Sequence, residues 1–420
     1  MAIRIGIIST VWLPSHGGAQ QYIHRLALSL AKQEDFEVFA FCSTQEATDK
    51  DNGEFPVTRW EDGHELTRAS WGNSILMPKK FPVIDIFKMY DFLDASVAWA
   101  TELELDIVLI STPFQEPENH QGRELYLQLK ALGIKTGALY YDISHPVQKM
   151  LFEFYERKTG NWSQAGDGVR KYLSSLLEAH NRLHTYHAIG SPLFFSPDFV
   201  ISCSYWSESF IDPDDSTPKF VLHPLMEQAY WSDNSTMQES LDEVDVLMVN
   251  PRSRNNPTQM AKLINDANPQ WKFRVLNGGW SDGTDFPAEF LSKIKQSAAM
   301  KEGRIDMRPY VSDMRDAYRT SNLVFFPSKI EGYGMTAVEP MYSGTPVISS
   351  NYPAILEAVG DAAYTLCPLT APADSWRQAV DEVLNNPSEW RMKSLARADE
   401  LEDRQNKELG NLVSFLNTFV

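Results

Sequence analysis

The chain has 420 residues, 43% of them hydrophobic and 22% charged, with a formal net charge of −18. That length allows two or three domains with their own cores, and the composition is that of an ordinary folded protein. So large an acidic surplus argues against nucleic acid, whose binding rests on Lys and Arg neutralising phosphates; on average it also disfavours an anionic membrane surface, though peripheral contact through a local basic patch stays open.

Three dispersed cysteines, Cys42, Cys203 and Cys367, form no CxxC and no metal-ligand spacing, which suits buried thiols in a reducing, cytoplasmic setting. The opening residues MAIRIGIIST have no cleavage-site pattern and read as a buried strand, and no apolar run reaches the length of about 18 residues that a membrane span needs.

In chain order, IRIGIIS (Ile3 to Ser9) reads as a strand. GGAQQYIHRLALSLAKQ reads as a helix with apolar residues near helical spacing, and FEVFAFCS as a second strand. IDIFKMYDFLDASVAWATELE is helical. LDIVLIS, GRELYLQLKALG and KTGALYYD give strand, helix, strand, and SPDFVISCS reads as the last strand of this half. Between Asp142 and Pro192 the aromatic-rich stretches VQKMLFEFYERKTGNWSQ and GVRKYLSSLLEAHNRLHTYHAI also look helical, as packing on the sheet or as cover for an acceptor pocket or a lipid contact. Trp162, Tyr172 and Phe195 are read there as packing rather than sugar platforms.

A second alternating run begins near Val244: VDVLMVN, the helix PTQMAKLINDA with Pro at its first turn, WKFRVLN, the helix PAEFLSKIKQSAAM, RIDMRPY, the helix VSDMRDAYRTS with Ser312 as its N-cap, and NLVFFPS. TPVISS, PAILEAVG and AAYTLC follow, and two long helices close the chain from Ala373. The expected architecture is α/β: two tandem doubly wound, Rossmann-like domains facing a deep interdomain cleft. Their expected ranges are 1–220 on the acceptor side and 221–404 on the donor side, with a C-terminal helix, 405–420, packing back on the first.

Glu331 follows NLVFFPS and belongs to a loop at the C-terminal edge of the second sheet, where open parallel sheets bind ligands. Gly332 and Gly334 let the backbone turn and approach a ligand, and a helix starting near Gly334 would aim the unpaired amides of Met335, Thr336 and Ala337 at a phosphate. Glu339 lies eight residues after Glu331; on one helix that is about 12 Å of rise and roughly 80° of turn, too far for a shared proton or metal. A nucleoside diphosphate sugar spans such a gap, with Glu339 accepting from the ribose diol and Glu331 from sugar hydroxyls.

These residues, within RPYVSDMRDAYRTSNLVFFPSKIEGYGMTAVEPMYSGTPVISS, resemble the E-x7-E signature of retaining glycosyltransferases of family 4, which have the GT-B fold. IGIISTVWLPSHGGAQQYIHRLALSLA is similar to that family's opening strand, glycine loop and helix, whereas the stretch from Thr48 to Val244 is only weakly similar. The resemblance implies transfer of a sugar with retention from a UDP- or GDP-linked donor to an acceptor hydroxyl or amine; because the sequence shows no metal-ligand cluster, no metal or other cofactor is expected.

It also implies site residues. Glu331 would hold the donor sugar, the backbone at Tyr333, Gly334, Met335 and Thr336 would meet sugar and diphosphate, and Gly17 and Gly18 would approach the phosphates from the other domain. The family's usual Arg and Lys after the first strand of the second domain, and the Gly after that Lys, are replaced here by Pro251, Asn256 and Pro257; Arg252 and Arg254 are the nearby substitutes, with Lys329 a further cation, or all three are solvent-facing. Where the family has His then Asp, this chain has Tyr141 then Asp142, with His145 three residues on as a candidate polar group at the acceptor face; His16 is a weaker one.

Two other readings stay open: a phosphorylase-like enzyme using a sugar phosphate, and a non-catalytic carbohydrate-binding or scaffold protein on the same fold. A dehydrogenase fits poorly, because STVWLPSHGG is too long and lacks G-x-G-x-x-G. Donor sugar, acceptor and oligomeric state are not legible.

Overall fold

The computed structural model describes residues 2–9, 12, 18–42, 55–60, 83–111, 120–141, 197–209, 216–232, 241–252, 255–277, 286–308, 311, 313–329, 331–368 and 371–420. The expected helices between 142 and 196 lie outside them, as do Ser312, Trp162, Tyr172 and Phe195. The described residues up to Leu225, together with Gln405–Val420, form one compact unit, and Met226–Arg404 form a second.

In the first unit, β1 (Ile3–Ser9), β2 (Phe36–Cys42), β3 (Val57–Arg59), β4 (Ile107–Ser111), β5 (Lys135–Tyr140), β6 (Phe199–Ser202) and β7 (Lys219–Val221) make one sheet in the order β3-β2-β1-β4-β5-β6-β7. Every pairing is parallel. The inner strands are apolar almost without alternation because helices cover both faces; Ile5, Ile7, Ile8 and all of Ile107–Ile110 are buried. The helices α1 (Gly18–Ala31), α2 (Val83–Glu102), α3 (His120–Ala131) and the short α4 (Tyr205–Glu208) join them. Tyr22, Ile23, Leu26, Ala27 and Leu30 form the buried stripe of α1 at helical spacing. Gly6 is bare for a packing reason: a Cβ there would lie 2.4 Å from Leu105 and 3.0 Å from the Trp99 ring.

The segment from Gln405 onward seals the far edge of this sheet. Phe419 and Phe415 set their rings 4.5 and 5.5 Å from that of Phe199, and Phe415 lies 5.3 Å from Phe220. Glu408 accepts from the amide of His223 at 3.0 Å and pairs with its Nδ1 at 2.7 Å.

The second unit opens with α5 (Gln228–Ser232). Its sheet holds β8 (Val244–Val249), β9 (Phe273–Leu276), β10 (Ile305–Arg308), β11 (Ser321–Phe326), β12 (Val347–Ser350) and β13 (Tyr364–Leu366), in the order β10-β9-β8-β11-β12-β13. It too is parallel throughout. Its helices are α6 (Pro257–Asn265), α7 (Ala288–Ile294), α8 (Ala298–Lys301), α9 (Met314–Arg319), α10 (Met335–Tyr342), α11 (Pro353–Val359), α12 (Ala373–Asn385) and α13 (Pro387–Leu416). Met260, Phe273, Phe290, Phe325, Trp376 and Val380 belong to the core on one face. Arg274, between Phe273 and Val275 and so on the other face of the sheet, is wholly buried, and its charge is met by Asp306 at 2.8 Å, Thr320 Oγ1 at 2.7 Å and the Asp242 carbonyl at 2.6 Å.

Four local expectations change. SPDFVISCS is not the last strand of its half, since β7 follows it where no strand was expected. β3 was not foreseen, being a three-residue strand beside β2 with no buried residue. PAEFLSKIKQSAAM is two helices, because Ser297 adopts an extended backbone and caps α8 by accepting from the Met300 amide at 3.1 Å. The cap of α9 is Asp313, which accepts from the Arg315 amide at 2.9 Å.

Candidate functional site

In the second sheet the chain runs outward from β8 to β10 and then resumes at β11, on the other side of β8. The strand order therefore reverses between β8 and β11, and the crevice outside their C-terminal ends is where a sheet of this kind takes ligand. Phe325 pairs with Met248, so the two ends are level.

The loop after β8 is tightly folded. The Arg252 amide donates to the Asn250 carbonyl at 2.6 Å, and the Asn255 amide to that of Arg252 at 2.9 Å. Asn250 and Asn256 both have φ of 57°, a left-handed conformation that asparagine tolerates better than most residues. Asn256 caps α6, accepting from the Gln259 amide at 3.3 Å, and Pro257 takes the first helical turn, where its missing N–H costs nothing. The position where the family carries Lys is therefore a buried helix cap. Arg252 is half-buried in this loop; Arg254 lies outside the described residues.

After β11, Ser328 is buried and its hydroxyl donates to Glu331 Oε1 at 2.8 Å, orienting a half-buried carboxylate at the sheet edge. Gly334 has φ of 102° and forms the N-cap of α10; a Cβ there would be strained and would meet Ile355 Cγ1 at 3.1 Å. Glu331 is thus in the loop and Glu339 in the helix, so the two do not share one helical face. Of the three amides expected to be open, that of Ala337 donates to the Gly334 carbonyl at 2.9 Å, which corrects the expectation. Met335 and Thr336 occupy the first turn, where the helix offers its amides no internal acceptor.

Glu339 Oε2 accepts from the Tyr318 hydroxyl at 2.7 Å. Tyr333, next to Gly334, is buried, and its hydroxyl accepts from Arg404 Nη2, while Arg404 Nη1 reaches the Glu357 carbonyl at 3.5 Å. Each acid is therefore steadied by a protein hydroxyl, and the glycine loop by a guanidinium. Ser328 ends the expected strand NLVFFPS three residues before Glu331, close enough in sequence to be tied to it, though it was given no role from the sequence. Tyr318 and Arg404 were missed, since nothing in local spacing ties them to the loop. The Lys329 charge lies within reach of Glu289 on α7, whose carboxyl is held below its ordinary value first by the Lys293 hydrogen bond and charge, with a smaller contribution from Lys329.

In the first unit the order reverses between β1 and β4. There Ser9 donates to Ser111 at 3.3 Å, and Ser111 meets the Tyr141 hydroxyl at 2.6 Å, so hydroxyls link the C-terminal ends of β1, β4 and β5. Tyr22, buried beside them, donates to the Leu222 carbonyl at 3.1 Å; burial first, then Cys203, Glu408 and Tyr141, push its pKa well above the usual 10.0 and keep it protonated. Gly18 is exposed as the first residue of α1. Gly17, His16, Asp142 and His145 lie outside the described residues. Among the described residues no three His, Cys, Asp or Glu gather as metal ligands, and no helix is long and apolar enough to cross a membrane.

Two parallel α/β units, each with a crevice at its strand-order reversal, define the GT-B-like fold, and solved structures of that fold match over nearly the whole chain. Sucrose-phosphate synthase from Thermosynechococcus elongatus superposes with a TM-score of 0.65 at 17% identity, covering 100% of both chains. Anabaena HepE in complex with UDP-glucose gives 0.65 at 12% identity, covering 99% of this chain and 100% of its own. In sequence, residues 230–400 match the family model for glycosyl transferases group 1. The D-inositol 3-phosphate glycosyltransferase of Rhodococcus opacus (strain B4) is 28% identical over 130 residues, and this match covers 30% of the present chain and 29% of that relative.

Proposed function

We propose that this protein is a retaining glycosyltransferase of the family-4 type, moving a sugar from a UDP- or GDP-linked donor to an acceptor hydroxyl or amine. The carrying observation is the pair of hydroxyl-steadied carboxylates, Glu331 and Glu339, on either side of the α10 N-terminus at the strand-order reversal. Glu339 receives the ribose diol, the first-turn amides and the partial positive charge of α10 receive the diphosphate, and Glu331 receives hydroxyls of the transferred sugar. Arg252 and Arg254 add cationic contacts to the phosphates, Gly17 and Gly18 bring backbone close to them, and Asp142 and His145 are assigned to catalysis, His145 as the polar group toward the acceptor. Residues 1–220 with 405–420 are assigned to the acceptor and 221–404 to the donor.

In the reaction the bond from the anomeric carbon to the diphosphate oxygen breaks and a bond to the acceptor oxygen or nitrogen forms on the same face. The acceptor proton passes to the leaving phosphate, so the chain supplies positioning and electrostatics rather than a strong nucleophile. The UDP-glucose seen in HepE makes UDP donors the first to try. The test is a panel of nucleotide sugars followed for slow donor hydrolysis. One nucleotide sugar should be consumed, and Glu339→Ala should abolish nucleotide binding; turnover unaffected by Glu339→Ala would overturn the ribose assignment.

A second reading, a phosphorylase-like enzyme using a sugar phosphate, is favoured by one observation: Asn256, at the position of the usual diphosphate Lys, is spent as a helix cap. Tight binding of UDP or GDP by calorimetry excludes it.

A further inference from the structure

Tyr318 is wholly buried on α9, with its ring 6.0 Å from that of Trp231 and its carbonyl accepting from Thr345 Oγ1 at 3.0 Å. It is held at both ends of the residue, so its phenol is a fixed point. That phenol donates to Glu339 Oε2 at 2.7 Å, within the short range typical of a hydroxyl bonded to a carboxylate. Glu339 is half-buried on the first turns of α10. A glutamate there has three rotatable bonds, and an unrestrained carboxylate must lose that freedom each time a ligand binds. A vicinal diol needs its acceptor in one plane and one place, so a carboxylate fixed in advance binds it more tightly and more selectively than a mobile one.

We propose that Tyr318 is a positioning residue for Glu339, and that discrimination for the ribose 2′- and 3′-hydroxyls of the nucleotide depends on this hydrogen bond. The inference rests on the reading of Glu339 as the ribose acceptor. The competing account is that Glu339 merely satisfies a buried phenol, which would make Tyr318 important for stability and irrelevant to ligand choice.

The full chain is titrated by calorimetry with UDP and GDP and with their 2′,3′-dideoxy counterparts, alongside thermal melting. The wild type should prefer the ribonucleotide. Tyr318→Phe, which removes one oxygen and keeps the ring, should weaken ribonucleotide binding about tenfold and leave the dideoxy form unchanged. Thr345→Val serves as the structural control: it removes the bond to the Tyr318 backbone and spares the phenol, so it should lower the melting temperature and keep the ribose preference. A Tyr318→Phe protein with wild-type ribose preference overturns this inference and leaves the glycosyltransferase reading standing. A wild type that binds neither nucleotide, or shows no ribose preference, overturns the Glu339 assignment and this inference with it.

Discussion

Asp313 and Arg315 form an enclosed ion pair, with side chains 3% and 7% exposed. Arg315 Nε lies 2.8 Å and Nη2 2.5 Å from Asp313 Oδ2, and its guanidinium carbon sits 4.0 Å over the Tyr230 ring. Burial alone would raise the Asp313 pKa; hydrogen bonds and charge from Arg315 outweigh it and hold the carboxyl below its ordinary value. A carboxylate depressed in this way stabilises the fold above its unfolded pKa of about 4 and loses that contribution as pH falls through the lower folded value. Melting measured across pH should therefore drop on the acid side below about pH 4. Asp313→Asn should cost about 3–5 kcal/mol at neutral pH by leaving Arg315 buried without its partner charge, and it should flatten the acid limb. At this scale the sequence was uneven as a guide. The placement of Glu331 and Glu339 at a sheet edge was readable because one short motif carries both, whereas Tyr318 reaches Glu339 from another helix and Arg404 reaches Tyr333 from 71 residues away.

Among the elements, α10 depends most on one backbone geometry. Gly334→Ala would force a side chain into a left-handed conformation, costing about 1–2 kcal/mol, and press its Cβ toward Ile355. Differential scanning calorimetry should show that loss, and nucleotide affinity should fall with it, because the loop from Glu331 to the first turn of α10 would shift. A milder change is expected at α8, where Ser297→Ala removes a cap for about 1 kcal/mol with no effect on nucleotide binding, as denaturant melts would report. Long strands between helices announced themselves as apolar runs because both faces are covered. β3 and β7 did not, because three residues at a sheet border carry too little burial to leave a pattern. The break at Ser297 was hidden for the opposite reason: the apolar spacing continues through it, and only the cap hydrogen bond marks the change.

On the scale of the whole molecule there are two units, each with its own buried core. Heating should therefore give more than one transition. Phe415→Ala, which strips a half-buried ring from Phe199 and Phe220, should cost about 1.5–3 kcal/mol and lower the transition of the first unit while sparing that of the second. The doubly wound class was legible from alternating strands and helices, whereas the order of the strands within each sheet was not read from the sequence, since crossover handedness alone leaves several orders open. A separate helix over 405–420 was expected to pack back on the first unit, whereas α13 runs unbroken from Pro387 to Leu416 across that point, because its amphipathic pattern carries no break there.

The late return of the chain to its first unit has a consequence during synthesis. Phe199 and Phe220 leave the ribosome roughly two hundred residues ahead of Phe415 and Phe419, the rings that cover them. At about 5–20 residues per second, the nascent sheet border stays bare for roughly ten to forty seconds, while the whole of the intervening unit is made. The second half of the molecule is thus complete before the first is, and the interval is one in which a growing polypeptide with two uncovered aromatic rings is most open to aggregation.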